Sequence, residues 1–423
     1  MLSVLRHRTY RRLFAAQAVA LTGTGLATVA LSLLAYDLAG ARAGAVLGTA
    51  LAIKMLAYLL IGPLATALAE RVPRRTLMVA MDVARAAVAL ALPFVTEVWQ
   101  VYVLVLVLQS ASAAFTPTFQ ATIPEVLVKE EDYTKALSLS RLAYDLESLF
   151  SPMLAAALLT VVSYDRLFTG TAVGFLASAA LVASVVLPKP APAENDAGRW
   201  AKTTRGFRLY ASTPRLRGLL LAHLAVAAST AMVVVNTVVL VHELGRGGGD
   251  VAIALGAFGI GSMTAALALP PLLRRADDRT VMVPAAFTLA AGLAVLTAAL
   301  VTGLLGWTGL LALWTVLGAA TGAILTPTGR IVTDASTPND RPAAFAAQFS
   351  LSHGWFLLTY PLAGWLAAQA DIATAAAALA AVASAAALTT LLAWPARDLA
   401  APLRPARKAP VAAGTAHVHS GAG

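Results

Sequence analysis

The sequence contains no cysteine, and only 12% of its 423 residues are charged. The lack of cysteine excludes disulfide bridges, thiolate metal sites and cysteine nucleophiles. A soluble globular chain is about 25% charged and about 45–50% apolar, whereas this chain is 59% hydrophobic and has a mean hydropathy of +0.77. The composition therefore excludes an ordinary soluble enzyme, a disordered protein and a fibrous protein, and it indicates a polytopic helical membrane protein.

Twelve apolar runs are long enough to cross a bilayer, which takes about 20 helical residues. The first run is about 25 residues long, beyond the ~7–15 of a signal-peptide core, so we expect an uncleaved first span. The sequence thus predicts an all-α membrane protein. Its twelve transmembrane helices are expected at 13–37, 43–69, 76–96, 100–124, 137–162, 167–187, 216–242, 251–273, 281–303, 308–329, 344–369 and 373–394.

A polar insert with several prolines divides the runs into two groups of six. We expect an N-terminal six-helix bundle at 1–187, a cytoplasmic linker at 188–215 and a C-terminal six-helix bundle at 216–395. The remaining residues, 396–423, are rich in alanine, proline and glycine. Such a composition does not build a packed core, so we expect a disordered cytoplasmic tail.

Short motifs recur in the same order in both groups, at offsets that differ little. The pairs are RTLMV at 75–79 with RTVMV at 279–283, TPT at 116–118 with 326–328, and SLS at 138–140 with 350–352. Parallel six-helix repeats are typical of alternating-access transporters, which bind substrate near the midplane between the halves. The pattern therefore predicts two pseudo-repeats.

The basic residues are distributed unequally between the two sides of the predicted membrane. If both termini are cytoplasmic, 25 of the 31 Lys and Arg residues lie in cytoplasmic segments and three lie in outer loops. This bias matches the positive-inside rule. We therefore expect both termini in the cytoplasm, and the net charge of +10 needs no nucleic-acid partner to explain it.

Residues 66–75, T-A-L-A-E-R-V-P-R-R, follow the second run. They resemble the loop signature of the major facilitator superfamily, G-x-x-x-D-R-x-G-R-R, with the three arginines kept, Glu in place of Asp, and Thr and Pro in place of two glycines. In that family the loop latches the two halves and gates the conformational change. The resemblance implies a gating role for Glu70, Arg71, Arg74, Arg75 and the nearby Asp82.

Residues 151–156, S-P-M-L-A-A, resemble the end of the antiporter signature of that family, G-P-x-x-G-G. Small residues replace the glycines and still allow helices to approach closely. The resemblance implies a helix-packing role for Ser151, Pro152, Ala155 and Ala156. The sequence differs from the family pattern at two positions. Glu147 replaces a glycine of this signature, and Leu106 replaces the fourth-span arginine of many proton-coupled exporters.

The stretches at 110–126 and 136–152 resemble the bacterial branch that includes macrolide, siderophore and nickel-resistance exporters. The resemblance implies the major facilitator fold and a monomeric, proton-driven secondary transporter of the bacterial inner membrane that is not an enzyme and needs no cofactor. Nickel exporters usually end in a His-rich tail, whereas this tail has only His417 and His419. A receptor or scaffold is a further alternative, but the charges within the spans and the loop signature argue against it.

Charged side chains inside spans cost at least ~2.5–3.5 kcal/mol at the bilayer centre, so they are candidates for function. Lys54 lies roughly 17 Å into the second span, and a histidine such as His353 exchanges a proton near pH 7. Arg141 and Asp145 are four residues apart and should pair, whereas Glu147 lies on another face. We predict that these five residues serve proton coupling or substrate binding.

Alternatives remain open for several of these residues. Asp82 and Arg85, three residues apart, can form a purely structural ion pair. Glu147 lies at the surface if its span begins later, and His353 can serve structure alone.

The family lines its cavity with the first, fourth, seventh and tenth spans. The polar residues of those spans that we expect to line it are Gln17, Thr22, Thr24, Gln109, Ser112, Asn236 and Thr321. Serine and threonine hydroxyls also bond to their own helix backbone, so this set predicts a weakly polar cavity. Such a cavity favours amphipathic organic substrates over sugars. The alternative is efflux of nickel or cobalt, bound by imidazole and carboxylate groups, with no resident metal site.

Overall fold

The computed structural model describes residues 2–68, 72–127, 132, 136, 139–140, 143, 151, 154–187, 205–273, 277–337 and 340–394. Within these residues the chain is helical and forms no β-strand. Several residues singled out above lie outside the described part: Glu70, Arg71, Arg141, Asp145, Glu147 and Pro152. The predicted tail at 396–423 also lies outside it, as does the stretch 188–204 of the predicted linker.

The helices follow the apolar runs closely. They are α1 (Arg8–Ala39), α2 (Ala43–Leu68), α3 (Arg74–Ala91), α4 (Val98–Val126), α5 (described over 154–159), α6 (Tyr164–Ala183), α7 (Pro214–Glu243), α8 (Gly248–Leu272), α9 (Asp278–Val301), α10 (Trp307–Asp334), α11 (Arg341–Gln369) and α12 (Ile372–Ala393). The predicted linker contains a further helical segment at 205–212.

Nine stretches of the described residues are long and apolar enough to cross a membrane, and the first, Arg8–Leu60, contains two helices. A straight helix of 53 residues would be about 80 Å long, against a bilayer core of about 30 Å. The chain turns back at Gly40, whose φ of +54° suits glycine. The predicted all-α membrane class is confirmed. The count of twelve spans stays a prediction, because α5 is only partly described and α11 is not among the nine stretches.

The same helix pairs pack in both groups. In the first group α1 packs on α6, α3 packs on both α4 and α6, and α2 packs on α4. In the second group the corresponding pairs are α7 with α12, α9 with α10 and α12, and α8 with α10. This repetition of contacts is what two pseudo-repeats require. The two groups meet mainly where α2 packs on α11, and α2 also contacts α7.

Candidate functional site

Helices α2 and α11 come from different groups and pack antiparallel, forming what we call the α2–α11 seam: residues 44–58 of α2 and 349–365 of α11. The seam is about 21 Å long at 1.5 Å per residue. We call the end where α1 begins and α2 ends the basic end, since Arg8, Arg74 and Arg330 lie there, and the other end the opposite end. Residues 44 and 364 face each other at the opposite end.

The two backbones nearly touch at the opposite end of the seam. A Cβ added to Gly364 would lie far inside 3.0 Å of the carbonyl oxygen of Gly44, and one added to Gly48 would lie 2.5 Å from that of Tyr360. Real Cβ atoms essentially never come within 3.0 Å of another heavy atom in this way. The seam therefore closes only because these positions lack a side chain.

Polar groups add to this closure. Asn236 of α7 is fully buried, and its Nδ2 donates to the carbonyl oxygen of Ala363 at 3.1 Å. Trp365 donates from Nε1 to the hydroxyl of Thr49 at 2.9 Å, across the seam. Asn236 was expected to line the cavity, but the structure places it where α7 meets α11 and α2.

His353 lies toward the basic end of the seam. Its ring stacks on Phe349, with ring centroids 3.9 Å apart, and lies 6.5 Å from the ring of Tyr58 in α2. Its Nδ1 is 2.7 Å from the carbonyl oxygen of Phe349. A carbonyl only accepts, so Nδ1 carries a hydrogen and Nε2 is the atom that gains or loses a proton. A cavity of about 30 Å³ adjoins the ring, which is enough room for one water.

Lys54 of α2 and His353 of α11 both lie within the α2–α11 seam. The seam thus contains two of the five residues expected in proton coupling, one from each group of helices. The other three, Arg141, Asp145 and Glu147, lie outside the described residues.

The expected gating residues lie in two different places. At the basic end, Arg74 at the start of α3 pairs with Glu125 near the end of α4, at 2.5 Å, and Arg75 is exposed. Asp82 lies deeper, fully buried, and pairs with Arg85 one helical turn on. The partner that the structure shows for Asp82 is therefore inside the first bundle.

The Arg85 guanidinium lies between two aromatic rings. It is 4.5 Å from the ring centroid of Phe115 in α4 and 4.4 Å from that of Phe175 in α6. Arginine over an aromatic face is a favourable cation–π arrangement. The pair thus ties α3 to both neighbouring helices, which supports the structural alternative for Asp82 and Arg85.

The buried pair predicts a non-additive response to mutation. Asp82→Ala leaves a buried guanidinium without its carboxylate, and we expect a loss of roughly 3 kcal/mol of stability. The double variant Asp82→Leu/Arg85→Met removes both charges and should be closer to the wild type than either single change. Thermal unfolding of the purified protein in detergent measures this. Asp250→Ala breaks the half-exposed pair with Arg246 and a long hydrogen bond from the Gly247 N–H, and it should cost about 1 kcal/mol. Additive losses in the double variant would contradict the pairing.

A second charged cluster lies at the basic end and was not anticipated from the sequence. Asp278, at the start of α9, accepts hydrogen bonds from Arg215 of α7, at 2.7 Å, and from Arg330 of α10. Arg330 also donates to the carbonyl oxygen of Leu273 at 3.0 Å, and Asp334 lies 3.7 Å from Arg215. The cluster holds the start of α9 against α7 and α10.

The signal for this cluster was the internal repeat. Asp278 precedes Arg279 in the second copy of the RT-x-MV motif, as Arg74 precedes Arg75 in the first. The start of the third helix of each bundle pairs with the end of the fourth in both places, but with the charges exchanged: Arg74 with Glu125, and Asp278 with Arg330.

The expected cavity-lining residues are mostly turned inward. Gln17, Ser112, Asn236 and Thr321 are buried, whereas Thr22, Thr24 and Gln109 are partly buried. The hydroxyls of Thr22 and Thr24 donate to carbonyls of their own helix at 3.0 Å. Gln17 accepts a hydrogen bond from Ser140 at 3.0 Å. Of the expected packing residues, Ser151 and Ala155 are buried and Ala156 is partly buried.

The metal alternative would need several imidazole and carboxylate ligands close together. No group of three or more His, Asp or Glu side chains that could hold a metal ion occurs among the described residues. Of the two ligands considered from the sequence, His353 has aromatic neighbours, and Glu147 lies outside the described part.

Comparison with known proteins gives a family model described as Major Facilitator Superfamily, which matches residues 13–302 and 219–420. An uncharacterized MFS-type transporter, YfiS of Bacillus subtilis (strain 168), is 30% identical over 127 residues, which are 30% of each chain. Macrolide efflux protein A of Streptococcus pyogenes is 28% identical over 182 residues, 42% of this chain and 44% of the relative. The chain therefore spans less than half the length of these curated relatives.

Solved structures share the architecture. The nucleoside transporter NupG superposes with a TM-score of 0.68 at 14% identity, covering 91% of this chain and 99% of NupG. A D-xylose-proton symporter superposes with a TM-score of 0.69 at 13% identity, covering 91% of this chain and 98% of the symporter. At such identities the likeness shows the fold alone.

Proposed function

This chain belongs to the major facilitator superfamily, and we propose that it exports amphipathic small molecules by proton-coupled alternating access. Membership makes it an integral membrane transporter rather than an enzyme. The family resemblance seen in residues 66–75 is thereby confirmed. We propose three further features: export of amphipathic molecules, coupling to protons, and placement of both termini in the cytoplasm.

The observation that carries the proposal is the α2–α11 seam, which holds His353 against the rings of Phe349 and Tyr58 where the two groups of helices meet. When His353 takes a proton, a positive charge enters this largely apolar and aromatic contact, where a charge is poorly solvated. Proton binding therefore favours the state in which the seam separates, and proton release favours the closed seam.

The low number of free polar groups on the helices expected to line the route supports amphipathic substrates. The partly buried threonines that were expected to line the route bond to their own backbones, so they offer few free groups for a sugar. The relative named for macrolide efflux has the same direction of transport that we propose. No observation in the described residues favours the metal alternative.

The gating roles of Glu70 and Arg71, and the proton roles of Asp145 and Glu147, remain predictions. All four residues lie outside the described part of the chain. His353 lies in the described seam, so its role in proton coupling can be tested by a substitution that leaves these four residues unchanged.

We expect His353→Gln to reduce proton-driven efflux at least about tenfold while substrate binding persists, because glutamine cannot take the proton. The assay is uptake of a radiolabelled macrolide into inside-out vesicles with an imposed pH gradient. His223→Gln is the matched control, since His223 is a buried histidine of α7 whose Nδ1 faces the carbonyl of Leu219. A wild-type protein that ignores the gradient would overturn proton coupling, and an equal loss in both variants would remove the special role of His353.

A further inference from the structure

A pocket of about 270 Å³ lies at the opposite end, between the two groups of helices. Its walls come from the end of α1, the end of α5 and the segment after it, the start of α6, the end of α7 and the start of α8. Apolar side chains form part of the wall, and Tyr36, Asp37, Tyr164 and His242 form the polar part. The volume is close to the lower end of known ligand sites, about 300 Å³.

The lining of the pocket carries a negative charge, whereas the chain as a whole has a net charge of +10. Asp37 is the one formally charged side chain among the described residues that line it, and no Lys or Arg does so, although the chain has 31 basic and 21 acidic residues. Three helix C-termini (α1, α5 and α7) and two N-termini (α6 and α8) meet there, so the helix dipoles do not oppose a negative potential at the pocket. The carboxylate of Asp37 therefore sets the sign of the local potential.

The polar groups are arranged as acceptors and aromatic faces. The hydroxyl of Tyr164 donates to the Asp37 carboxylate at 2.5 Å. The ring of Tyr36 stacks on that of His242, with centroids 3.7 Å apart. Nδ1 of His242 is 2.7 Å from the carbonyl oxygen of Val238, so Nδ1 donates and Nε2 accepts in the neutral ring. The carboxylate of Asp37, the neutral Nε2 of His242 and the aromatic rings suit a cation.

A metal ion is a poorer match than an organic cation. Inner-sphere binding of a divalent metal takes more ligands than this pocket gathers, and no cluster of three ligands occurs in the described chain. Tyrosine rings beside a carboxylate, with apolar walls, instead match an ammonium group that carries apolar substituents.

We propose that this pocket binds a small monovalent organic cation, an ammonium with apolar or aromatic substituents, at the outer end of the transport route. That the pocket lies on the transport route rests on the proposed function, but binding of the cation can be measured without transport. Because the walls come from both groups of helices, the site is complete only while they are closed together at this end. A bound cation therefore stabilises that state.

The test uses the full chain in lipid nanodiscs and radiolabelled benzyltrimethylammonium, with its neutral isostere neopentylbenzene as competitor. Asp37→Asn is expected to weaken binding by about fivefold, since an exposed charge pair contributes up to about 1 kcal/mol. Tyr164→Phe keeps the ring and frees the carboxylate, so affinity should hold or rise. Glu97→Gln changes an exposed acid that caps α4 outside the pocket and should leave affinity unchanged.

Three results would overturn the proposal: no saturable binding by the wild type, full displacement by neopentylbenzene, or unchanged affinity in Asp37→Asn. The outcome is separable from that for macrolide export. If export fails while cation binding persists with this variant pattern, the pocket stands and the proposed substrate is wrong. If export succeeds while the cation does not bind, the pocket proposal alone is wrong.

Discussion

Gly364→Ala is expected to reduce transport at least about tenfold, whereas Gly354→Ala on the same helix should leave the rate near that of the wild type. A Cβ at Gly364 meets the backbone of Gly44, and backbone cannot swing aside as a long side chain does. A Cβ at Gly354 meets nothing within 4 Å. The two variants therefore make the same chemical change in different surroundings.

The expected size follows from the cost of overpacking, typically about 1–3 kcal/mol. Here that cost acts mainly on the state in which the opposite end is closed, because only there must the two backbones touch. A shift of about 1.4 kcal/mol changes the ratio of two states tenfold. In contrast, Gly354→Ala should stabilise α11 slightly, since alanine is favoured over glycine in a helix by up to about 1 kcal/mol.

Distance measurements can separate this effect from misfolding. The chain contains no cysteine, so spin labels can be placed at Arg42→Cys and Asp371→Cys without removing native thiols. We expect the distance distribution in Gly364→Ala to widen toward longer values, and that in Gly354→Ala to match the parent. Full transport by Gly364→Ala with an unchanged distribution would show that the close contact is not needed.

The fold was largely predictable because long apolar runs have few alternatives to membrane helices. The helix ends were less predictable. The first run was expected to begin at residue 13, yet α1 begins at Arg8, because polar residues continue a helix beyond the apolar layer. The third run was expected to reach residue 96, yet α3 ends at Ala91 and a short 3-10 turn, Leu92–Phe94, follows with proline inside it.

The candidate site was predictable where chemistry alone marks a residue. A lysine or histidine within an apolar run is conspicuous, so Lys54 and His353 were found, and the structure places both in the α2–α11 seam. Asn236 shows the limit, because an almost uniformly apolar helix such as α7 has no polar face from which its rotation can be inferred. Whether its amide faces a cavity or a neighbouring helix depends on packing, and the structure directs it to Ala363.

The Asp278 cluster was missed for a different reason. Charges at helix ends are ordinary on any membrane protein, so Arg215, Asp278 and Arg330 carry no signal one at a time. Their partnership joins residues up to 115 positions apart and appears only in the folded chain. When the two halves are aligned by their repeat, Asp278 is equivalent to Arg74. The two residues have opposite charges, so the equivalence did not suggest a shared role.

That cluster leads to the second large expected effect. The double variant Arg215→Ala/Arg330→Ala should destabilise the protein by about 3–5 kcal/mol, because it leaves the Asp278 carboxylate, 4% exposed, without either cation. The dipole at the start of α9 offsets only about 0.3–1 kcal/mol of this cost. Each single variant should cost much less, since the carboxylate keeps one arginine.

Thermal unfolding of the purified variants measures these losses. A third substitution tests whether they come from the unpaired carboxylate. Adding Asp278→Asn to the double variant removes the stranded charge and should restore part of the lost stability. Arg205→Ala is the control, since it removes an arginine that is 64% exposed from Asp340, which is 13% exposed but keeps the hydrogen bond from Thr337, and it should cost about 1 kcal/mol. If the two single losses simply add up to the double loss, and Asp278→Asn restores nothing, the arginines do not share one buried partner. A double loss well above that sum, with partial recovery in the triple variant, means that the carboxylate at the start of α9 holds α7 and α10 together at the basic end.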